Sequence, residues 1–225
     1  MTIPESLDAF YAQRSSKHRK HLRAYIRKLD KNEHGAVEIA TYRTEDQVDR
    51  AAKDAAAISE KTYQRGIGAG FENIPQKRML LKTAARKGWF RGHVLYIASQ
   101  PVAYRFALCC NGTYFADGTG YDPAWRDYRV GTVLFLRVLE QMCAEGVRFY
   151  DFGFGDAEYK QHYADESWED TTLYLFAPRL GPLGLNAACS VLAAGAIAGR
   201  RVLAACGWLP GLKRRWRRGL EKGSE

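Results

Sequence analysis

Cysteine is scarce and unpatterned in this chain. The five residues Cys109, Cys110, Cys143, Cys189 and Cys206 are odd in number, and no spacing among them resembles a zinc-ligand pair. A reduced, cytosolic protein is the simplest reading. Metal catalysis lacks a ligand cluster, and His93 and His162 stand alone, each better read as a satisfied or exposed side chain than as a base. A thiol nucleophile at Cys109 or Cys110 would need a neighbouring His/Asp pair, for which His93 is the candidate on the adjacent strand. Residues 1–10 hold acids and no apolar run, so no signal peptide is expected there. Repeats and low-complexity linkers are absent. The uncharged run Leu185–Gly199, fifteen residues, falls short of the roughly 20 that a spanning helix needs.

What is present is a soluble-type composition over 225 residues, enough for one sizeable core or two small ones. The net charge of +9 is carried by the ends. Residues 1–34 hold eight Lys/Arg against four acids, and residues 200–225 hold eight against two, which leaves the middle close to neutral. A polyanionic partner is therefore a question about the two ends.

Ser6–Lys31 has helical spacing (Leu7, Phe10, Tyr11, then Leu22, Tyr25, Ile26, Leu29), with Ser15-Ser16 as a break. Ala36–Tyr42 alternates like a strand. Thr44 caps a helix reaching about Lys61, and a turn with Gly66, Gly68 and Gly70 follows. Pro75 opens a third helix ending near Gly88. Phe90–Ala98, Val102–Cys110 and Thr113–Asp117 then predict a three-stranded antiparallel meander, with turns at Gln100-Pro101 and Asn111-Gly112. In the second strand Val102, Tyr104, Phe106, Leu108 and Cys110 are expected on one face. Gly131–Glu145 is helical and Val147–Phe152 is a short buried strand, so the pair forms a right-handed crossover with parallel strands. Thr171–Phe176 supplies a last strand. The fold class is α+β, a mixed sheet flanked by helices, over residues 1–183. Residues 184–225 form an apolar helix, or two, followed by a basic cluster, Lys213–Arg218. These dock on the domain or lie on an anionic membrane face, with Trp208 and Trp216 as headgroup anchors.

The chemistry concentrates between Gly120 and Lys160. The turn Tyr128-Arg129-Val130-Gly131-Thr132 opens a helix whose free N–H groups and dipole suit a pyrophosphate. Gly131 allows close approach, and Arg126 and Arg129 add charge. After the next strand, Asp151, Asp156, Tyr159 and Lys160 cluster within ten residues. In an amide-forming acyl transfer a carboxylate takes a proton from the amine, a phenol returns one to the thiolate, and strand donors polarise the carbonyl. Each has a structural alternative: Asp151 as a cap, Lys160 as an ion pair, Tyr159 as a core aromatic.

These residues resemble a known family. Gly120-Tyr121-Asp122-Pro123, Val130-Gly131-Thr132 opening a helix, and Tyr150-Asp151-Phe152-Gly153-Phe154-Gly155-Asp156 with Tyr159-Lys160 are similar to the GNAT-like acyltransferases of the FemAB-related superfamily. More closely, they resemble the bacterial group that includes cellulose- and exopolysaccharide-production proteins. Ser16-Lys17-His18-Arg19 with Leu22-Arg23, and Ser59-Glu60-Lys61, are weaker matches. The resemblance implies a GNAT fold, with a thioester held between splayed parallel strands that end near Asp117 and begin near Phe149. It implies acyl-CoA as co-substrate, bound through Arg126, Arg129, Val130, Gly131 and Thr132. On the acceptor side it points to Glu60, Asp151, Asp156, Tyr159 and Lys160, with a small or lipid-linked amine, an amino sugar for instance, as acceptor. The pattern Gln/Arg-x-x-Gly-x-Gly/Ala is incomplete, because Arg129 stands where the family has its middle glycine. An aminoacyl-tRNA donor is the alternative, with Lys17–Lys31 facing the RNA backbone. A non-catalytic membrane-surface scaffold is a third reading. The location implied is cytoplasmic or peripheral at the inner membrane face.

Overall fold

The structure, a computed structural model, describes residues 1–62, 70–155, 158–169, 174–208 and 211, with backbone only at 158, 159 and 161. The chain divides into two compact units, Met1–Glu166 and Ser167–Glu225.

The first unit is built on a five-stranded sheet whose spatial order follows the chain: β1 (Val37–Tyr42), β2 (Phe90–Ile97), β3 (Gln100–Cys110), β4 (Thr113–Tyr121) and β5 (Phe149–Asp151). The first four strands are antiparallel, and β5 pairs parallel to β4 with Thr113 opposite Phe149 and Phe115 opposite Asp151. The fold is thus a mixed α+β sheet with one crossover, as expected, but the meander has four strands. The Ala36–Tyr42 segment joins the sheet edge through β2.

Both sheet faces are covered. Helices α1 (Leu7–Ala12), α2 (Ser16–Asp30) and α5 (Val130–Ala144) pack around one core, which holds Phe10, Leu22, Leu95, Leu134, Leu139 and Tyr150. Helices α3 (Val48–Ser59) and α4 (Pro75–Arg86) pack around the other, with Ile58, Leu81, Val94, Tyr104 and Phe106. Alternate side chains of β2 and β3 enter different cores. Ser6 and Ser15 cap α1 and α2 through their hydroxyls, so the Ser15-Ser16 break is a second helix start.

Two β-bulges account for departures from the sequence pattern. Between β2 and β3, Leu95 faces Ala103 and Tyr96 faces Pro101, which leaves Val102 as the extra residue. Val102 consequently joins the α1/α2/α5 core, while Tyr104 and Phe106 point to the other. The hairpin turn is Ala98-Ser99, both with positive φ (49° and 64°), and Gln100-Pro101 lies inside β3, where a bulge tolerates proline. Between β3 and β4, Phe106 faces Gly118 and Ala107 faces Ala116, so Asp117 is extra. This bulge is why the alternation stops at Asp117 although β4 runs on to Tyr121.

In the second unit, a single helix spans Leu180–Ala205 and passes through Arg200-Arg201 without a break. It starts earlier than the expected Gly184, so its uncharged stretch Leu180–Gly199 is twenty residues, about 30 Å of helix. By length and composition alone it is apolar and long enough to cross a membrane, and none of its residues is buried. The strand expected over Thr171–Phe176 lies partly outside the described residues, and Tyr174–Phe176 forms no strand. The glycines at 66 and 68 and the basic cluster at 213–218 also lie outside them.

Candidate active site

The parallel pair is short. β4 and β5 are hydrogen-bonded only from Thr113/Phe149 to Phe115/Asp151, after which β5 ends while β4 continues through the Asp117 bulge. The two strands therefore part at their carboxyl ends, the edge where open parallel sheets receive ligands. Immediately past the parting point Gly153 (φ 68°) brings the β5 chain back against β4. A Cβ there would sit 2.7 Å from the Ala116 carbonyl oxygen. The Gly153 N–H donates to Asp151 Oδ1 at 2.7 Å, which closes a turn around the carboxylate.

The start of α5 opens at the same edge. Tyr121 ends β4, Asp122 caps the 3₁₀ turn Pro123–Tyr128, and α5 begins at Val130. The Asp122 carboxylate accepts from Ala124 N–H at 3.0 Å and from Lys61 Nζ at 2.7 Å, so the turn is held from both sides. Within α5 the Thr132 and Val133 N–H groups both donate to the Arg129 carbonyl. The N–H groups of Val130 and Gly131 have no partner among the described residues. Two free donors at a helix start, on the positive end of its dipole, are an arrangement that suits an anion. At Gly131 a Cβ would lie 3.3 Å from the Tyr121 ring, so the missing side chain keeps this mouth close to β4.

Arg129 adopts the left-handed conformation, φ 53°, ψ 37°. This is the position where the motif resembled in the sequence has glycine, and the backbone keeps the glycine-like turn although the residue is arginine. The Arg129 guanidinium lies 5.8 Å over the Tyr25 ring of α2. Lys28 Nζ donates to the Asp127 carbonyl at 3.0 Å, and His34 packs edge-on against Trp125 and Tyr128. The basic helix α2 thus flanks the mouth of α5.

On the other side of the gap, Asp151 alternates with Tyr150. Tyr150 is buried, stacks on Tyr114 with ring centroids 4.8 Å apart, and accepts from Arg105 Nη1 at 2.6 Å. Asp151 is therefore turned to the α3/α4 side of the sheet, on the face shared with Phe115. Lys160, in α6 (Glu158–Tyr163), donates to the carbonyls of Gly153 (3.0 Å) and Phe154. Burial lowers the pKa of its ammonium, and the nearby Asp151 carboxylate opposes that shift.

The structure thus brings Asp151 and Lys160 together around the Gly153 turn, and it gathers Arg129, Val130, Gly131 and Thr132 at one helix start. Arg126 stands in the 3₁₀ turn, its carbonyl accepting the Arg129 N–H. Glu60 is exposed at the end of α3, next to Lys61 and so near the close of β4. Asp156 lies outside the described residues, as does the Tyr159 side chain. Two acids not named as site residues in the sequence also border the gap: Asp117 on the bulge, paired with Lys77 of α4 at 2.8 Å, and Asp122, paired with Lys61. An interrupted alternation around Asp117 was the available signal for the first.

His93 is not exposed. It is fully buried between the sheet and α5, its Nδ1 3.4 Å from the Thr41 hydroxyl, and its Nε2 has no partner among the described residues. Burial first, and the positive charges of Arg43, Arg105 and Arg91 next, push its pKa down to about 3. It is a neutral core residue at physiological pH. No group of His, Cys, Asp or Glu suited to a metal ion occurs among the described residues.

No curated protein matches the chain at a significant level. Solved structures of similar shape include an aminoglycoside acetyltransferase from an uncultured soil metagenomic sample, in complex with sisomicin (12% identity, 64% of this chain and 96% of that one, TM-score 0.44). A ribosomal-protein-alanine N-acetyltransferase from Brucella melitensis is another (11% identity, 62% and 98%, TM-score 0.46). A third is the C-terminal domain of a putative lysylphosphatidylglycerol synthetase from Agrobacterium fabrum (13% identity, 64% and 43%, TM-score 0.44). At these identities and scores nothing about substrate follows. The family model described as an acetyltransferase (GNAT) domain matches residues 16–161, which contain the whole sheet, the α5 mouth and the Asp151 turn. The chain belongs to the GNAT acetyltransferase family and is an acyltransferase.

Proposed function

We propose that the protein transfers an acetyl group from acetyl-CoA to the amino group of a small acceptor, an amino sugar or a cell-envelope polysaccharide precursor, in the cytoplasm. One observation carries this reading. The two unpartnered N–H groups at the start of α5 and the parting of β4 from β5 share one edge of the sheet, with a carboxylate at the parting point. An anion site beside a slot between strands suits a pyrophosphate with a long thioester arm.

In this reading the free N–H groups of Val130 and Gly131, with the side chains of Thr132, Arg126 and Arg129, hold the pyrophosphate. The thioester lies between the parted strands, where the Asp117 bulge frees backbone donors for its carbonyl. A carboxylate takes the proton of the acceptor ammonium, and Asp151 has the position for it, with Asp156 and Glu60 as the other acids of the acceptor side. The amine nitrogen then attacks the carbonyl carbon, the C–S bond breaks, the thiolate receives a proton from the Tyr159 phenol, and the phenolate takes back the second proton from the new amide nitrogen. Lys160 positions the turn that holds Asp151. The amino-sugar acceptor and the FemAB-related placement rest on the Asp151–Asp156 and Tyr159-Lys160 motif. The cytoplasmic site is supported by five unbridged cysteines.

Acetyl-CoA at a hundred times its dissociation constant stabilises a protein by about 2.7 kcal/mol, about 5–10 °C in melting temperature for a chain of this size. That shift is the expected result, together with acetyl-CoA-dependent thiol release in the presence of amino sugars. No shift with acetyl-CoA or any longer acyl-CoA would overturn the proposal.

A further inference from the structure

We propose that Phe115 binds the acceptor: its exposed ring and the Asp151 carboxylate opposite it together hold the amine in its ammonium form. That the occupant is an amine awaiting acylation rests on the acyl-transfer reading above, whereas the aromatic–carboxylate pair itself does not.

The two faces of the β4–β5 pair differ. Toward α5, Tyr114 and Tyr150 are buried and stacked. On the other face Phe115 and Phe149 are 41% and 46% exposed. Alternation along β5 puts Phe149 on the same face as Asp151, and the parallel register sets Phe115 directly opposite Asp151. The core under α3 and α4 takes Tyr104 and Phe106 from β3, with Leu108 packed at its margin, and no residue of β4 or β5. A single exposed apolar side chain is ordinary. Two uncovered phenylalanines on neighbouring strands of one sheet face, beside a carboxylate, form a patch of the kind that receives a ligand.

The charge beside the rings selects a cation. Asp117 is already matched to Lys77 at 2.8 Å and Asp122 to Lys61 at 2.7 Å. Asp151 forms no ion pair among the described residues. Its Oδ1 accepts the Gly153 N–H, and its Oδ2 accepts nothing among them. Lys160 is near, but its ammonium donates to the Gly153 and Phe154 carbonyls. The carboxylate therefore stands without a cation, one strand spacing of about 4.8 Å from an exposed ring. An ammonium within about 6 Å of the Phe115 centroid is attracted to the ring face and can donate to Asp151 Oδ2 at the same time. Phe149 supplies a contrast within the same patch. The Arg148 guanidinium lies 5.7 Å over its ring, so that ring already carries a cation, and Phe115 is the one left open to a ligand.

The test is a binding titration of the full-length protein, followed by ligand-observed NMR, with glucosamine and with glucose as probes. The two sugars differ by an ammonium in place of a hydroxyl. The parent is expected to bind glucosamine more tightly than glucose. Phe115→Leu keeps an apolar side chain but removes the ring, and it should weaken glucosamine about threefold to thirtyfold while leaving glucose alone. Phe115→Tyr keeps the ring and should restore the parental preference. Asp151→Asn should lower glucosamine affinity about tenfold or more, and Phe149→Leu should change it little. Melting temperatures of all four variants are measured alongside, and Phe115→Tyr decides the matter if Phe115→Leu is poorly folded. A parent that binds glucosamine no better than glucose would overturn the proposal. So would a Phe115→Leu protein with parental preference, or a Phe115→Tyr protein that has lost it. The titrations are run with and without coenzyme A. A protein that melts higher with acetyl-CoA but shows no preference for the ammonium keeps the catalytic reading and loses this one.

Discussion

Replacing Gly153 by alanine separates the role of the β5 turn from ordinary backbone strain. Gly153 and Gly155 both have positive φ, 68° and 92°. An alanine in that region costs about 1 kcal/mol at either position. Their surroundings differ. A Cβ at Gly155 meets nothing within 4 Å, whereas one at Gly153 lies 2.7 Å from the Ala116 carbonyl oxygen, closer than real Cβ contacts come. That oxygen belongs to β4 backbone and cannot rotate away, so the chain after β5 must shift, at a further cost of about 1–3 kcal/mol. The expected loss is about 2–4 kcal/mol for Gly153→Ala, or about 4–16 °C in melting temperature, against about 2–4 °C for Gly155→Ala. The functional consequence is sharper. The Gly153 N–H holds Asp151 Oδ1 and its carbonyl accepts from Lys160, so a displaced turn carries the carboxylate with it. A misplacement of about 1 Å can reduce turnover about a hundredfold. Thermal melts and steady-state kinetics on the two variants, side by side, decide the matter. Equal melting temperatures with equal kcat would refute the reasoning, because the turn would then not be wedged against β4.

Asp151→Asn keeps an oxygen to accept the Gly153 N–H but removes the base, so kcat should fall about 10²–10⁴-fold with the melting temperature nearly unchanged; a variant with parental turnover would remove Asp151 from the chemistry. His93 is held neutral in the fold with a pKa of about 3, against 6.5 unfolded. The unfolded chain therefore takes up a proton that the fold refuses, and this contribution to stability is lost as pH falls from about 6.5 towards 3, at about 1.4 kcal/mol per unit once below 6.5. Urea midpoints for the parent and His93→Gln at pH 7, 6 and 5 should show that the variant's slope with pH is shallower by that amount, and parallel slopes would contradict the burial of a neutral imidazole.

Much of the framework was legible in the sequence because local chemistry dictates it. Ser6 and Ser15 cap helices, Pro75 starts one, Asn111-Gly112 makes a hairpin turn, and the apolar spacing of residues 130–144 sets a helix between two parallel strands. The misread parts are those where tertiary packing overrides the local pattern. The Ala98-Ser99 turn carries no glycine or asparagine to announce its positive φ, which drew the expectation to Gln100-Pro101. Each bulge shifts the alternation by one residue, so Val102 changed face and β4 seemed to stop at Asp117. At the site, the α5 turn and the Asp151 turn were visible as motifs. The pairs Lys77–Asp117 and Lys61–Asp122 join residues 40 and 61 positions apart, a distance over which no spacing rule reaches. His93 looked ordinary because a single imidazole in an alternating strand does not reveal that both sheet faces are covered.

The outer edge of β5 is not bare. Thr2 forms an antiparallel bridge with Phe149, the Ile3 N–H donates to the Arg148 carbonyl, and the Tyr150 N–H donates to the Met1 carbonyl. Residues 1–3 leave the ribosome long before residue 150, and their docking strip does not exist until residue 150 has been made. They must wait unpartnered through nearly all of synthesis of the first unit, and closing a loop of that length comes last. Between the synthesis of β5 and the closing of that loop, β5 has an open edge that can pair with a neighbouring chain.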